Sequence, residues 1–363
     1  MTDGSVPSPP VAGGLSVLPI AGVGEVTAGA DLGGLLVDAL AAAGLQVGAG
    51  DCLVVSSKVV SKALGLTWPG TREDAVAAGT VRVVAERLGA GGVTRVVQSV
   101  AGPVMAAAGV DASNTGPTQQ LLVLPEDPDA EAARLRAAVL DKLELHSATA
   151  LAVVLSDTAG RPWRDGLTDL ALGCAGLTVL EDLRGASDHD GRPLAVTMRA
   201  LADEVAAAAD LVKGKADGIP AALVRGLPAT WFTPDADGAR ALVRVGPGDW
   251  FALGHVEALR AALGVEPGSA AAVEVGIASV QPDEGMTARV GRVVALALLD
   301  VPEGSADVGV DEAAGVAELT LGAPDDYDLG RLVVRAQVAA AAEGLRARLT
   351  TRATGSVVVT LAE

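Results

Sequence analysis

The sequence predicts a mixed α+β fold with a small α/β unit at its C-terminal end. Three observations carry this. Apolar runs of strand length, such as Cys52 to Val55 and Leu151 to Leu155, are interspersed with segments of helical apolar spacing. Through residue 245 the two kinds follow one another irregularly, without the strand–helix–strand rhythm of a doubly wound sheet. A Pro/Gly break, Gly246-Pro247-Gly248, then precedes a stretch with strand and helix patterns of its own.

The elements follow in order. Residues 1–14 are rich in Pro, Gly and Ser and read as a disordered lead-in, without the basic and apolar regions of a signal peptide. Residues 15–245 form the main domain. Within it, Val17 to Ile20 suits a short strand, and Asp31 to Gly44 has helical spacing and a glycine stop. Cys52 to Val55 is a strand running into Ser56-Ser57-Lys58. Arg72 to Leu88 reads as a helix, Arg95 to Val97 and Leu121 to Leu124 as strands. Pro128-Asp129 opens a helix to about Leu143, with proline and acids in its first turn. Ala148 to Leu155 is a buried strand, Leu194 to Val212 an Ala-rich helix, and Ala221 to Val224 a strand. Residues 246–363 form a small domain to which no activity is assigned. It holds a helix from Asp249 to about Leu263, a strand or helix at Ala288 to Leu299, and a strand at Ala317 to Leu321. A helix at Leu329 to Leu349 and a strand at Ser356 to Leu361 close the chain.

Composition narrows the function classes. Half of the 363 residues are hydrophobic and only 2% aromatic, so the core is built from Ala, Val and Leu. No apolar run is long enough to span a membrane. A net charge of −18 argues against nucleic-acid and anionic-membrane partners, which need a basic footprint. Cys52 and Cys174 lack metal-type spacing and read as reduced, buried thiols of a cytoplasmic protein. His146, His189 and His255 are scattered, which argues against a histidine metal site. Of five lysines, four fall in two clusters, Lys58 with Lys62 and Lys213 with Lys215. A lysine is a compact point charge suited to phosphate, although both clusters also suit solvated helix ends or turns.

Three polar blocks carry the candidate chemistry, and none spells a Walker A loop or a dinucleotide fingerprint. Ser56-Ser57-Lys58-Val59-Val60-Ser61-Lys62 puts hydroxyls and amines at a strand end, as a phosphate cradle or a capped helix start would. Asp111-Ala112-Ser113-Asn114 offers a carboxylate and an amide, or an Asx-type turn. Ser156-Asp157-Thr158-Ala159-Gly160-Arg161-Pro162-Trp163-Arg164 sets an acid, a hydroxyl and two guanidinium groups at the end of the buried strand. A capped surface turn with solvated arginines uses the same residues. Two separated carboxylates, Asp111 and Asp157, are what a hard cation bridging phosphates requires.

In this order the blocks resemble the coenzyme F420-0:L-glutamate ligase (F420:γ-glutamyl ligase) family, including the ligase half of its two-domain actinobacterial enzyme. Leu18-Pro19-Ile20, Leu124-Pro125-Glu126-Asp127-Pro128-Asp129, Gly173-Cys174-Ala175-Gly176-Leu177, Ala202-Asp203-Glu204-Val205 and Leu211-Val212-Lys213-Gly214-Lys215 extend the match. It runs from about residue 16 to about residue 260. The resemblance implies the family's unusual α+β fold, an intertwined homodimer, and a GTP-dependent amide ligase. In that reaction GTP activates a carboxylate of F420-0 as an acyl phosphate, which L-glutamate's amine then attacks. It implies that Val23, Gly24, Glu25 and Val26 line the GTP site and that Ser57, Lys62 and Asn114 contact GTP. Asp111, Asp157 and Thr158 would hold Mg²⁺ or Mn²⁺, with K⁺ as a further cofactor candidate and Glu204 as a further candidate for the metal's shell. The residues themselves add Arg161 and Arg164, which with Lys62 make up the expected catalytic cations.

Departures from the family pattern are local. The family's Lys-Ala-Glu-Gly-Arg is Lys62-Ala63-Leu64-Gly65-Leu66, and its Gly-Gln-Thr is Gly166-Leu167-Thr168. A glutamate usual before the third block is missing around Ala78-Gly79-Thr80. Residues 264–363 are too short for the flavin-binding, nitroreductase-like domain of the fused enzyme. Two alternatives follow: an amide ligase of this fold acting on another carboxylate, and a non-catalytic nucleotide-binding partner subunit.

Overall fold

The computed structural model describes residues 14–89, 92–112, 120–214, 217–277 and 284–363. It divides into two units, Met1–Val81 with Gln98–Arg244, and Arg82–Val97 with Val245–Glu363.

The first unit is built on a five-stranded mixed sheet. Its chain runs β1 (Ser16–Ile20), α1 (Leu32–Ala42), β2 (Asp51–Ser56), α2 (Ser57–Leu64), β3 (Thr67–Trp68) and α3 (Arg72–Ala78). The ribbon β4 (Thr80–Gly89) and β5 (Gly92–Ser99) then leaves this unit and returns to it, followed by β6 (Val104–Ala106) and β7 (Leu121–Leu122). α4 (Pro128–Lys142), β8 (Leu151–Arg161), β9 (Arg164–Ala175), β10 (Leu180–Asp182), β11 (Met198–Ala200), α5 (Leu201–Lys213) and β12 (Ala221–Arg225) complete it. The sheet order is β1-β12-β2-β8-β9. β2 and β8 are parallel, and the other neighbours are antiparallel.

Local sequence explains where the helices start. The side chains of Asp31 and Asp127 each accept a hydrogen bond from the backbone three residues on and cap α1 and α4. Thr71 and Asp74 form a reciprocal capping box on α3. Layering follows from alternation along β8, whose residues Leu151 to Leu155 are all fully buried. Leu151, Val153 and Leu155 share a core with α1, α2 and α4, whereas Ala152 and Val154 share one with α5. Burying each large aliphatic chain here contributes about 1.5–3 kcal/mol relative to exposure.

Close packing demands glycine at one point. A Cβ on Gly173 of β9 would overlap the carbonyl oxygen of Pro128, where α4 starts. Gly173→Ala is expected to lower unfolding stability by about 1–3 kcal/mol, read as the midpoint of urea denaturation. An unchanged midpoint would mean that α4 can shift at no cost. The thiols sit in the core on the other face of the sheet, shared with α5. Burial raises Cys52 well above its ordinary value and pushes Cys174 up to about 12, so both stay protonated at neutral pH.

In the second unit, α6 (His255–Ala262), α7 (Ala270–Glu274), α8 (Met286–Leu298) and α9 (Asp326–Ala342) accompany strands β13 (Ser305–Asp311), β14 (Val316–Gly322), β15 (Arg346–Ala353) and β16 (Ser356–Ala362). The strands form an antiparallel sheet ordered β13-β14-β16-β15. Buried Glu343 holds Arg260 at 2.8 Å and Arg292 at 2.7 Å. The ribbon is tied in by Gly254 N–H donating to Val84 O (2.8 Å), Arg82 pairing with Asp249 (3.0 Å) and Arg87 pairing with Glu257 (2.6 Å).

Several expected elements are corrected. The helix expected at Arg72 to Leu88 stops at Ala78; Gly79 ends it, and the β-branched run from Thr80 to Val84 starts a strand. The helix expected to begin at Leu194 begins at Leu201, after β11 has paired with β10. The helix expected from Asp249 begins at His255. The helix expected to reach Leu349 ends at Ala342, and left-handed Gly344 turns the chain into β15. The segment at Ala288 to Leu299 is helical. The strand Ser305–Asp311 has no counterpart in the sequence reading. No helix among the described residues is long and apolar enough to cross a membrane.

Candidate active site at the carboxyl ends of β2 and β8

β2 and β8 run in parallel register from Asp51↔Leu151 to Ser56↔Ser156, so their carboxyl ends finish level. Ligands of open α/β sheets bind beyond such ends. α2 begins at the next residue of the first strand, with Ser57 buried in its first turn. Val59, Val60 and Ala63 turn to the core. Lys58 and Lys62, four residues apart, share another face.

Each lysine of α2 meets a carboxylate. Lys58 Nζ lies 2.6 Å from Asp111 Oδ2, and Lys62 Nζ lies 2.6 Å from Glu25 Oε1. Glu25 is mostly exposed, so water screens that pair, and an arriving anion can displace the carboxylate readily. Asp111 is held by a β-bridge to Leu122, next to α2.

The loop before α1 is threaded by alternation of another kind. Val23 and Val26 are buried in the core, while Gly24 and Glu25 between them are exposed. Gly24 has φ +75, a left-handed conformation that suits glycine. Gly29 N–H donates to Ala63 O at 2.8 Å and ties the loop to α2. Of the four residues expected to line a nucleotide site, the valine side chains are therefore anchors, and Gly24 and Glu25 are presented outward.

Asp157 and Thr158 sit inside β8, not in a turn beyond it. The capped-turn reading is thereby corrected: β9 pairs with β8 as far as Arg161↔Arg164 and extends the strand. Alternation sends Asp157 to the α2 and α4 side, with Leu155, and Thr158 to the α5 side, with Ser156. Arg161 and Arg164 stand exposed at the hairpin tip beside Trp163, which is 86% exposed. Arg161 is four residues beyond Asp157, or roughly 13 Å along the strand.

The α5 side holds a buried polar network. Asp169 on β9 accepts from Ser156 Oγ (2.8 Å) and Thr158 Oγ1 (2.7 Å). Lys213, at the end of α5, donates to Ser156 Oγ and Asp169 Oδ2, both at 2.6 Å. Neither expectation for Lys213, a phosphate contact or a solvated helix end, describes this buried ion pair; Lys215 lies outside the described residues, as does Asn114. Asp169 has no counterpart in the sequence reading. An acid embedded in the apolar run of β9 was the available signal, because a buried carboxylate requires a cationic partner. Glu204 pairs with Arg199 at 2.7 Å in the first turn of α5, nine residues or roughly 13 Å of helix before Lys213. Nearby Asp203 is raised above its ordinary value by burial, against the lowering effect of the Ala171 N–H it accepts.

Amines paired with carboxylates where two parallel strands end level suit anionic ligands, as enzymes that join or transfer groups require. Comparison with known proteins narrows the class. Residues 75–226 match the family described as F420-0:Gamma-glutamyl ligase. The coenzyme F420:L-glutamate ligase of Halobacterium salinarum is 37% identical over 251 residues, spanning 63% of this chain and 92% of the relative. The enzyme of the same name from Natronomonas pharaonis is 37% identical over 254 residues, with the same coverage. That from Haloarcula marismortui is 38% identical over 237 residues, spanning 58% of this chain and 87% of the relative. The chain belongs to the F420-0:gamma-glutamyl ligase family.

The donor set can be tested against the divalent cation expected from the resemblance. Among the described residues no group of three or more His, Cys, Asp or Glu side chains could hold a metal alone. Asp111 and Asp157 supply hard oxygen donors. Mg²⁺ is ordinarily held by one or two carboxylates together with substrate phosphates, so this sparse set fits such an ion.

Proposed function

We propose that the chain ligates L-glutamate to the terminal carboxylate of coenzyme F420-0, with GTP as phosphoryl donor and Mg²⁺ or Mn²⁺ as cofactor. The observation that carries this reading is the pair of lysine–carboxylate contacts on α2, Lys58 with Asp111 and Lys62 with Glu25, where β2 ends level with β8, the strand that carries Asp157, in a chain of this family. Cytoplasmic placement and a homodimer belong to the same reading.

In the reaction, a carboxylate oxygen of F420-0 attacks the γ-phosphorus of GTP, and the bond to the GDP oxygen breaks. The neutral amine of L-glutamate then attacks the acyl carbon. The amide forms, and phosphate and a proton leave. Phosphoryl transfer asks little covalent chemistry of the protein and much positioning and charge stabilisation. Lys62 would exchange the Glu25 carboxylate for phosphate oxygens. The backbone at Gly24, bare of a side chain, would let a nucleotide approach. Asp111 and Asp157 would hold the cation, which when bound supplies neutralising charge for the phosphates. Arg161 and Arg164 at the hairpin tip would act on an anion only beyond the immediate surroundings of Asp157.

The test is incubation with F420-0, GTP, Mn²⁺ and L-glutamate, with product mass followed by chromatography and mass spectrometry. A mass gain of one or more glutamyl units with GDP release is expected. GTP binding without any gain would overturn the acceptor assignment. It would favour another carboxylate as acceptor, or a non-catalytic partner subunit, consistent with the changed residues Leu64, Leu66 and Leu167.

A further inference from the structure

We propose that Lys213 and Asp169 are positioning residues of the ligase site, fixing the hydroxyl of Thr158 and, through strand β8, the direction of Asp157. The inference rests on the ligase reading above.

The geometry is specific. Asp169 spends both carboxylate oxygens on one strand: Oδ1 accepts from Thr158 and Oδ2 from Ser156. These hydroxyls are two residues apart, so they lie on one face and clamp the residue between them to the other. That residue is Asp157. Lys213 completes the clamp, donating at 2.6 Å to Asp169 Oδ2 and to Ser156 Oγ. Its side chain is 5% exposed and that of Asp169 is 4% exposed.

Stability is a poor reason for such a pair. Two charges taken out of water rarely do better than well-packed apolar side chains of the same volume. What an apolar pair cannot do is keep an ionised carboxylate, an acceptor on every lone pair, beneath two hydroxyls. Each hydroxyl must then give its proton to Asp169. The lone pairs of Thr158 Oγ1 are thereby left for a cation or substrate. The ammonium has a second effect. It neutralises Asp169, so the carboxylate buried on the α5 side does not compete with Asp157 and Asp111 for a divalent ion. Partners behind the ligands of a metal commonly set its affinity in this way.

The experiment uses the full chain and the double variant Lys213→Met/Asp169→Asn. This variant keeps shape and removes both charges together. The introduced amide presents one acceptor and one donor where the carboxylate had two acceptors, so one of the two hydroxyls must reverse. Mn²⁺ binding in the presence of GTP is measured by the paramagnetic resonance signal of free Mn²⁺, alongside thermal melting and steady-state kinetics. The expected result is a melting temperature near that of the parent with Mn²⁺ affinity and kcat each reduced about 10- to 100-fold. KM for L-glutamate should change by less than about 2-fold, because the proposed clamp acts through Thr158 and Asp157 on the cation and not on the amine. If the double variant does not fold, Ser156→Ala serves instead. It leaves the ion pair in place, removes one arm of the clamp, and should still weaken Mn²⁺ binding several-fold. Parent-like Mn²⁺ affinity and kcat in a folded variant would overturn the proposal and make the pair a structural staple. A parent protein that binds Mn²⁺ and GTP but makes no glutamyl product would overturn the ligase reading alone, since the comparison of Mn²⁺ affinities still stands.

Discussion

Asp157→Ala is expected to reduce ligation by at least about 10²- to 10³-fold while the protein melts close to the parent. The reason lies in its position. Asp157 is half-buried at the end of the paired β2 and β8, on the face shared with α2, and its two neighbours along the strand are held to the opposite face. Removing it takes a hard oxygen donor from that face and leaves the core contacts of Leu151, Val153 and Leu155 intact. The check is kcat/KM for GTP at saturating Mn²⁺, with circular dichroism to follow the fold. Activity equal to the parent's would remove Asp157 from the site. Asp157→Asn should behave like the alanine variant, since the charge and not the volume is at stake.

The single substitution Lys213→Met should have the opposite profile and act first on the fold. It strands the Asp169 carboxylate, 4% exposed, without its cation. Breaking a buried pair by removing one partner destabilises by about 3–5 kcal/mol. For a unit of this size that corresponds to a melting temperature lower by roughly 6–20 °C. Adding Asp169→Asn to the same chain should recover most of the loss, because the unpaired charge is gone. A single variant as stable as the parent would mean that Asp169 takes up a proton or finds water at little cost.

What could be read from the sequence divides by distance along the chain. The starts of α1 and α4 were legible because capping is local: Asp31 and Asp127 lie within three residues of the N–H groups they accept. The buried strand Leu151 to Leu155 was legible because both its faces are apolar. Its continuation through Asp157 and Thr158 was not, because β9 alone determines it, by pairing across the hairpin. The lysine block and Asp111 were legible as polar residues where elements end. The partnership of Lys213 with Asp169, 44 residues apart, was not, because no local rule says which acid a buried lysine will find. The stretch from Thr80 to Leu88, the end of the helix expected from Arg72, has apolar spacing that fits either period, and the β-branched residues tip the balance toward a strand.

The ribbon of residues 82–97 has a bearing on how this chain can be cut and inherited. It grows out of the ligase unit but belongs to the second unit, where Val84, Arg82 and Arg87 find their partners at Gly254, Asp249 and Glu257. The C-terminal region is therefore not a cassette that recombination can add or drop at residue 245. A gene shortened there would keep a hairpin whose ion-pair partners had been deleted. A gene that swapped the region would have to carry a compatible hairpin some 150 codons upstream, so the two segments are bound to change together.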